Sequence, residues 1–313
     1  MAHAFTAEEW PIAACIHGFP TSTRDGIPAA DAPAEFWAKQ FRHLTAEGFR
    51  HVEIADGWIK PALLSAERRT ELLETVAAAG LSIPSVHIAR ASIIDPVDGE
   101  KNLAYQHASV DAVADLGAGV YSTGLHRPFT DGQRAALWFW ASQGPVDPND
   151  DRETWDLAVS RFQEIGRHAA DRGLKVALEL YEDTYLGSAD NAVRLVEAIG
   201  MDHVGLNPDV GNLIRLQRPI EDWREMYAKT LPYANYWHLK NYTRDEDGEG
   251  RFITSVPSTM RDGLINYRQV IELALEVGYS GVFTMEQYGG DSIGVCGENA
   301  RYTRGVLSTL IDH

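Results

Sequence analysis

The sequence predicts a single-domain α/β fold, a (β/α)8 or TIM barrel, and three observations carry that prediction. Short apolar runs alternate with segments of helical period eight times along the chain, which is the pattern of a parallel sheet whose crossovers are helices. Across 313 residues no composition break marks the start of a second domain, and eight strand–helix units close into a barrel of about this length. The alternative, a doubly wound open sheet, is disfavoured because no GxGxxG turn follows the first strand.

In chain order the candidate strands are IAACIHG (12–18), FRHVEIAD (49–56), SIPSVHI (82–88), GVYSTG (119–124), KVALEL (175–180), HVGLNPD (203–209), NYWHLK (235–240) and GVFTME (281–286). Between them lie segments of helical period such as AEFWAKQFRHLTAEG, SAERRTELLETVAAAG, WDLAVSRFQEIGRHAADRG, DNAVRLVEAIG and YRQVIELALEVG. Most close on Gly, the residue that takes up a left-handed cap and lets the chain turn back. Two connections exceed the usual few residues. One spans about 127–151 and carries LWFW, Leu137 to Trp140; the other spans about 242–263 and carries DEDGEG. Both follow strands, so both belong to the face where barrels of this kind build their sites.

The formal charge of −17 repels phosphate backbones and anionic headgroups, so nucleic acid and membrane are excluded as expected partners. Cys15 and Cys296 are too few and too far apart for a disulfide framework or a thiolate cluster. Glu8 and Glu9 stand where a signal peptide would be basic or apolar, and no segment approaches the roughly 20 apolar residues of a span. The expectation is a soluble, cytoplasmic protein.

Why, then, does the buried run YANYWHLKNY end in His238 and Lys240? In a closed barrel the carboxyl ends of the strands converge on one mouth. The last polar residues of the later strands are Glu179, Asp209, His238 and Glu286. Three carboxylates crowded at the end of an apolar barrel repel one another unless a cation balances them. Oxygen-rich ligation with one imidazole suits one divalent metal, Mn2+ first, with Mg2+ or Co2+ as alternatives.

This set resembles that of the xylose-isomerase-like TIM barrels, a family of sugar isomerases, epimerases, inosose dehydratases and metal-dependent endonucleases, over essentially the whole chain. The resemblance implies Glu179, Asp209, His238 and Glu286 as the metal ligands. Asn212, in DVGN, stands where ketose 3-epimerases place a substrate-binding His, which weakens the epimerase reading. The charge argues against the endonuclease branch. STGLHRP, GLNPDVGN and WHLKNY are further similar to the large subunit of bacterial C-glycoside deglycosidases. That narrower likeness implies a sugar or glycoside substrate and a small β-sandwich partner subunit.

The expected chemistry is removal of a proton beside a ketone, with a metal polarising the oxygen. His126 is the candidate base, since a neutral imidazole accepts a proton near neutral pH; Glu179 and Glu286 would flank the substrate in an isomerase. Lys240, on the same side of its strand as His238 by period-two alternation, is expected either to stabilise a developing enolate or to pair with Asp209. His17, His87, Asn207 and Asn212 are candidate substrate contacts. Glu53 is a further candidate contact, or an orienting partner for His or Lys. The main expectation is a lyase that expels the C1 substituent of a 3-oxo-glucoside. Its alternatives are a sugar isomerase or ketose 3-epimerase and an inosose-dehydratase-like lyase.

Overall fold

In the computed structural model, which describes residues 4–148 and 150–312, eight short parallel strands form one sheet. They are β1 (Ile12–Cys15), β2 (His51–Ala55), β3 (Ser85–His87), β4 (Val120–Thr123), β5 (Lys175–Glu179), β6 (Val204–Asn207), β7 (Trp237–Leu239) and β10 (Phe283–Met285); between the last two lies a hairpin of β8 (Asn241–Glu246) and β9 (Ile253–Ser258). Hydrogen-bonded neighbours run β6-β5-β4-β3-β2-β1-β10-β7. The two ends, β6 and β7, therefore face each other and nearly complete a single TIM barrel.

One backbone bond, from the Asn235 N–H to the Leu206 carbonyl at 3.2 Å, and two side chains close that last gap. The His238 N–H donates to Asn207 Oδ1 at 2.8 Å, and Asn235 Nδ2 donates to the Val176 carbonyl at 2.9 Å. Gly205 sits at the same seam because a Cβ there would lie 2.5 Å from the Tyr233 carbonyl oxygen.

The helices are α1 (Ala34–Ala46), α2 (Ala66–Ala78), α3 (Gly99–Asp115), α4 (Asp131–Ala135), α5 (Arg152–Asp171), α6 (Ala189–Ile199), α7 (Gly211–Ile214), α8 (Trp223–Thr230), α9 (Tyr267–Glu276) and α10 (Ser292–Ile311). α6 shows how sequence makes them. Ser188 caps its first turn, Ala192, Leu195, Val196 and Ile199 bury one stripe, and Gly200 ends it in the left-handed region at φ 66°. None of the described helices is long and apolar enough to cross a membrane.

Both long connections carry structure that their polar composition concealed. Residues 241–258 form the antiparallel β8–β9 hairpin, with DGEG at its turn. It stands outside the barrel sheet, so no neighbouring strand or helix signals it. The 127–151 connection contains α4, fixed by a reciprocal Thr130/Gln133 cap, and a single tight turn at Phe139–Ala141.

Candidate metal centre

β7 opens with Trp237 facing out into the packed shell, and His238 follows, facing the barrel axis. The imidazole is fully buried and four carboxylates surround it. Its Nδ1 lies 2.8 Å from Glu179 Oε1, 3.1 Å from Glu286 Oε2 and 3.8 Å from Asp209 Oδ2. Its Nε2 lies 2.8 Å from Glu53 Oε1 on the opposite side. One ligand atom from each of Glu179, Asp209, His238 and Glu286 falls within 4.8 Å of the others, so four residues from four strand ends share one centre.

Lys240 is also buried, and its ammonium donates to Asp209 Oδ2 and, at 2.8 Å, to Glu286 Oε2. Gly211 makes room for it, since a Cβ there would lie 2.5 Å from Lys240 Cγ. The DVGN run thus supplies an acid, the space for the lysine and an amide in consecutive turns.

The electrostatics are those of a crowded anionic cage. Burial alone would raise Glu179, but His87, His126 and His238 hold its carboxyl well below the usual range. Glu286 is likewise held low, against burial, by Lys240 and His238. Asp209 goes the other way, pushed up to about 7 by burial and by the neighbouring Glu286 and Glu179 despite Lys240. Burial opposes charge on His238, yet the carboxylate of Glu53 and the hydrogen bonds His238 donates to Glu179, Glu286 and Glu53 hold its imidazolium well above the ordinary value. Without an added ion, protons and Lys240 do the balancing.

The donor set suits a divalent ion. Asp209 Oδ1 is buried without a hydrogen-bond partner among the described residues, which leaves an oxygen free at the centre. The Nδ1 of His238 faces the three ligand carboxylates, while Nε2 faces Glu53, the arrangement in which an outer carboxylate fixes the tautomer of a metal-binding histidine. Three carboxylates with one nitrogen match a hard or borderline cation.

Above this centre opens a cavity of about 380 Å3. His17, His87, His126 and Asn212 line it together with Glu179 and Glu286. His126 Nε2 lies 2.6 Å from Glu179 Oε2, and its Nδ1 has no partner among the described residues. Burial, outweighing Glu179, lowers the His126 pKa; burial also lowers His17 and His87. Asn212 donates to the Leu180 carbonyl at 2.9 Å and to Asp209 at 3.2 Å, and its own oxygen is unpartnered.

Two residues expected to touch substrate stand elsewhere. Asn207 is fully buried at the β6–β7 seam, where its oxygen is taken by the His238 N–H. Glu53 is fully buried behind His238, shared with Tyr236 and Ser85 inside the barrel. Of the two roles open to Glu53 it holds the orienting one.

Several mouth residues escaped the sequence reading. Tyr181 and Tyr288 follow Glu179 and Glu286 by two positions, the same spacing as His238 to Lys240, so period-two counting from each acid would have found both. Phe129 and Phe139, from the long connection, form the outer wall with Arg90. Arg90 takes a left-handed φ of 56°, stacks 3.8 Å from the Phe129 ring centroid and donates to Tyr181; nothing in the spacing of HIARAS signals this. Behind the wall Arg215 is fully buried, bonded to both oxygens of Glu182 at 2.9 Å and enclosed by the rings of Phe139, Trp140, Tyr181 and Tyr288.

The family model described as xylose isomerase-like TIM barrel matches residues 41–308. The chain belongs to that family. A xylose isomerase-like TIM barrel protein from Mycobacterium smegmatis, solved in complex with magnesium, is 46% identical, with a TM-score of 0.92 over 98% of this chain and 99% of its own. An inosose dehydratase from Yersinia enterocolitica is 28% identical over 145 residues, 42% of this chain and 47% of that relative. The chain thus spans about half the length of the curated relatives it matches. A D-psicose 3-epimerase from Clostridium cellulolyticum H10, at 15% identity and a TM-score of 0.65 over 96% of this chain and 99% of its own, shares the fold. Within this xylose isomerase-like barrel, the buried His/Glu/Asp group is the part suited to a divalent metal.

Proposed function

We propose that this protein is a divalent-metal-dependent lyase that removes a proton beside the ketone of a sugar or cyclitol and expels a hydroxyl from the next carbon. The observation that carries the reading is His126, a buried imidazole kept neutral, tied to Glu179 through Nε2 and free of any described partner at Nδ1. Likeness to inosose dehydratases supports elimination, and Asn212 in place of a histidine leaves the site short of one epimerase contact.

Glu179, Asp209, His238 and Glu286 would hold the ion, which the magnesium-bound Mycobacterium relative supports as Mg2+, with Mn2+ and Co2+ chemically equivalent in this donor set. When bound, the ion supplies Lewis-acid polarisation of the carbonyl. His126 takes the proton from the carbon, and Glu179 stabilises the imidazolium that forms. Lys240, held by Asp209 and Glu286, adds positive charge beside the developing oxyanion. The same His126 proton then leaves with the departing hydroxyl, so a C–H and a C–O bond break, one C=C bond forms and water is the by-product. Glu179 and Glu286 are poorer bases, because the imidazoles around Glu179, and Lys240 and His238 beside Glu286, hold both below the ordinary range.

A narrower reading makes the leaving group the aryl substituent of a 3-oxo-glucoside, supported by the aromatic wall of Phe129, Phe139, Tyr181 and Tyr288; a small β-sandwich partner chain belongs to that reading. One substrate panel tests all of these. Metal-loaded protein is offered 2-ketocyclitols, ketohexoses, and 3-oxo-C- and O-glucosides. Water loss to an unsaturated ketone supports the dehydratase, free aglycone supports the narrower lyase, and an epimerised ketohexose with no elimination product refutes both.

A further inference from the structure

Outside the barrel mouth, a second cavity of about 450 Å3 opens between the end of the β8–β9 hairpin, the start of α9 and the middle of α10. In a chain of net charge −17 it gathers three guanidiniums, Arg261, Arg268 and Arg301. Arg301 pairs with Glu47 at 3.2 Å. Arg261 and Arg268 make no ion pair or side-chain hydrogen bond among the described residues, and both face one ring, 5.6 and 5.7 Å from the centroid of Tyr302.

A fixed amide closes the inner side of the cavity. Asn299 is 1% exposed and lines the cavity. Its oxygen is committed to the Met260 N–H at 2.9 Å, which fixes the amide, and its Nδ2 has no partner among the described residues. Asp262 and Glu298 stand on the rim as acceptors.

We infer that this cavity binds an anionic polyol, a sugar phosphate or sugar acid. The anion would sit between Arg261 and Arg268, where planar forks suit phosphate or carboxylate oxygens. The Tyr302 ring offers a face to the carbon skeleton, and the two rim carboxylates accept from hydroxyls. Such a site reads both the charge and the hydroxyls of its ligand, so neither inorganic phosphate nor a neutral sugar satisfies it.

Calorimetric titration of the magnesium-loaded protein tests this, with glucose 6-phosphate, gluconate, glucose and inorganic phosphate as probes. The expected result is binding of at least one of the first two, at least about tenfold tighter than either glucose or phosphate; the tighter of the pair names the anion. In an Arg261→Gln/Arg268→Gln double variant that binding falls about tenfold or more, while magnesium affinity at the barrel mouth and the melting temperature stay unchanged, since both side chains are exposed. Equal binding by wild type and variant, or no preference for the anionic polyols, overturns the inference.

Discussion

Replacing Glu53 by Gln isolates the outer carboxylate that sets the tautomer of His238. In the native arrangement Glu53 Oε1 accepts from His238 Nε2 at 2.8 Å, while Oε2 is held by Tyr236 and, at 3.2 Å, by Ser85. Gln keeps one acceptor for His238 and turns an amide toward Tyr236, whose hydroxyl has Thr284 as an alternative partner, so the fold is retained. Loss of such an outer partner lowers metal affinity by about 10–100-fold, or roughly 1.4–2.8 kcal/mol. The lower half of that range applies here, because Gln keeps the acceptor and removes only the charge, at a site where both residues are fully buried.

The pH dependence has a definite sign. The surrounding carboxylates, Glu53 foremost, hold the His238 pKa well above its ordinary value, so a metal ion must displace a proton from Nδ1. Affinity of the native protein therefore falls as pH is lowered, by about a decade per unit where His238 alone is protonated, and more steeply below about 7, where Asp209 also takes up a proton. Removing the Glu53 charge lowers the His238 pKa, so proton competition in the variant sets in at more acid pH. The deficit is largest in alkaline solution and shrinks toward acid. Magnesium or manganese titration of both proteins across that range measures it. Equal affinities at alkaline pH would refute the orienting role of Glu53.

Divalent metal at about 100 times its dissociation constant should stabilise the fold by about 2.7 kcal/mol, read as a rise in melting temperature that EDTA abolishes; superimposable melts would remove the metal site. His126→Ala should lower turnover about 10²–10⁴-fold while metal content, measured by elemental analysis, stays the same; unchanged turnover removes His126 from the base role. Glu182→Ala strands the buried Arg215 guanidinium and should cost about 3–5 kcal/mol in urea unfolding; a loss below 1 kcal/mol would mean that the ring cage alone carries the charge.

What the sequence made legible depended on how far each feature follows from periodicity. The eight strands and the three acids and one imidazole at their ends were readable because a parallel barrel repeats one unit and aligns its carboxyl ends. Ser188 and Gly200 punctuate α6 by purely local rules. Arg90 was illegible for the opposite reason: its left-handed backbone is set by the packing of Phe129 and Tyr181, which lie 39 and 91 positions onward. The place of Asn207 at the seam was not legible, because a buried amide beside a site reads the same whether it meets a ligand or closes a sheet. Only the order of the strands, which leaves β6 and β7 unpaired, separates the two.

That distinction bears on where specificity resides. The cage of Glu179, Asp209, His238 and Glu286 is built by strand ends, and its donor set suits a divalent cation whatever the substrate. The wall opposite is built by the connection after β4, whose ends are anchored away from the cage. Asp147 accepts from the Tyr185 N–H at 3.0 Å and pairs with Arg127 at 2.8 Å, and Asp183 accepts from the Gly144 N–H at 3.1 Å. Trp140 is tied to Ser255 of the hairpin at 3.1 Å, so the two long connections brace each other rather than the metal ligands. Exchange of residues 127–148 therefore leaves the charge balance of the cage intact while changing the shape and polarity of the space above it.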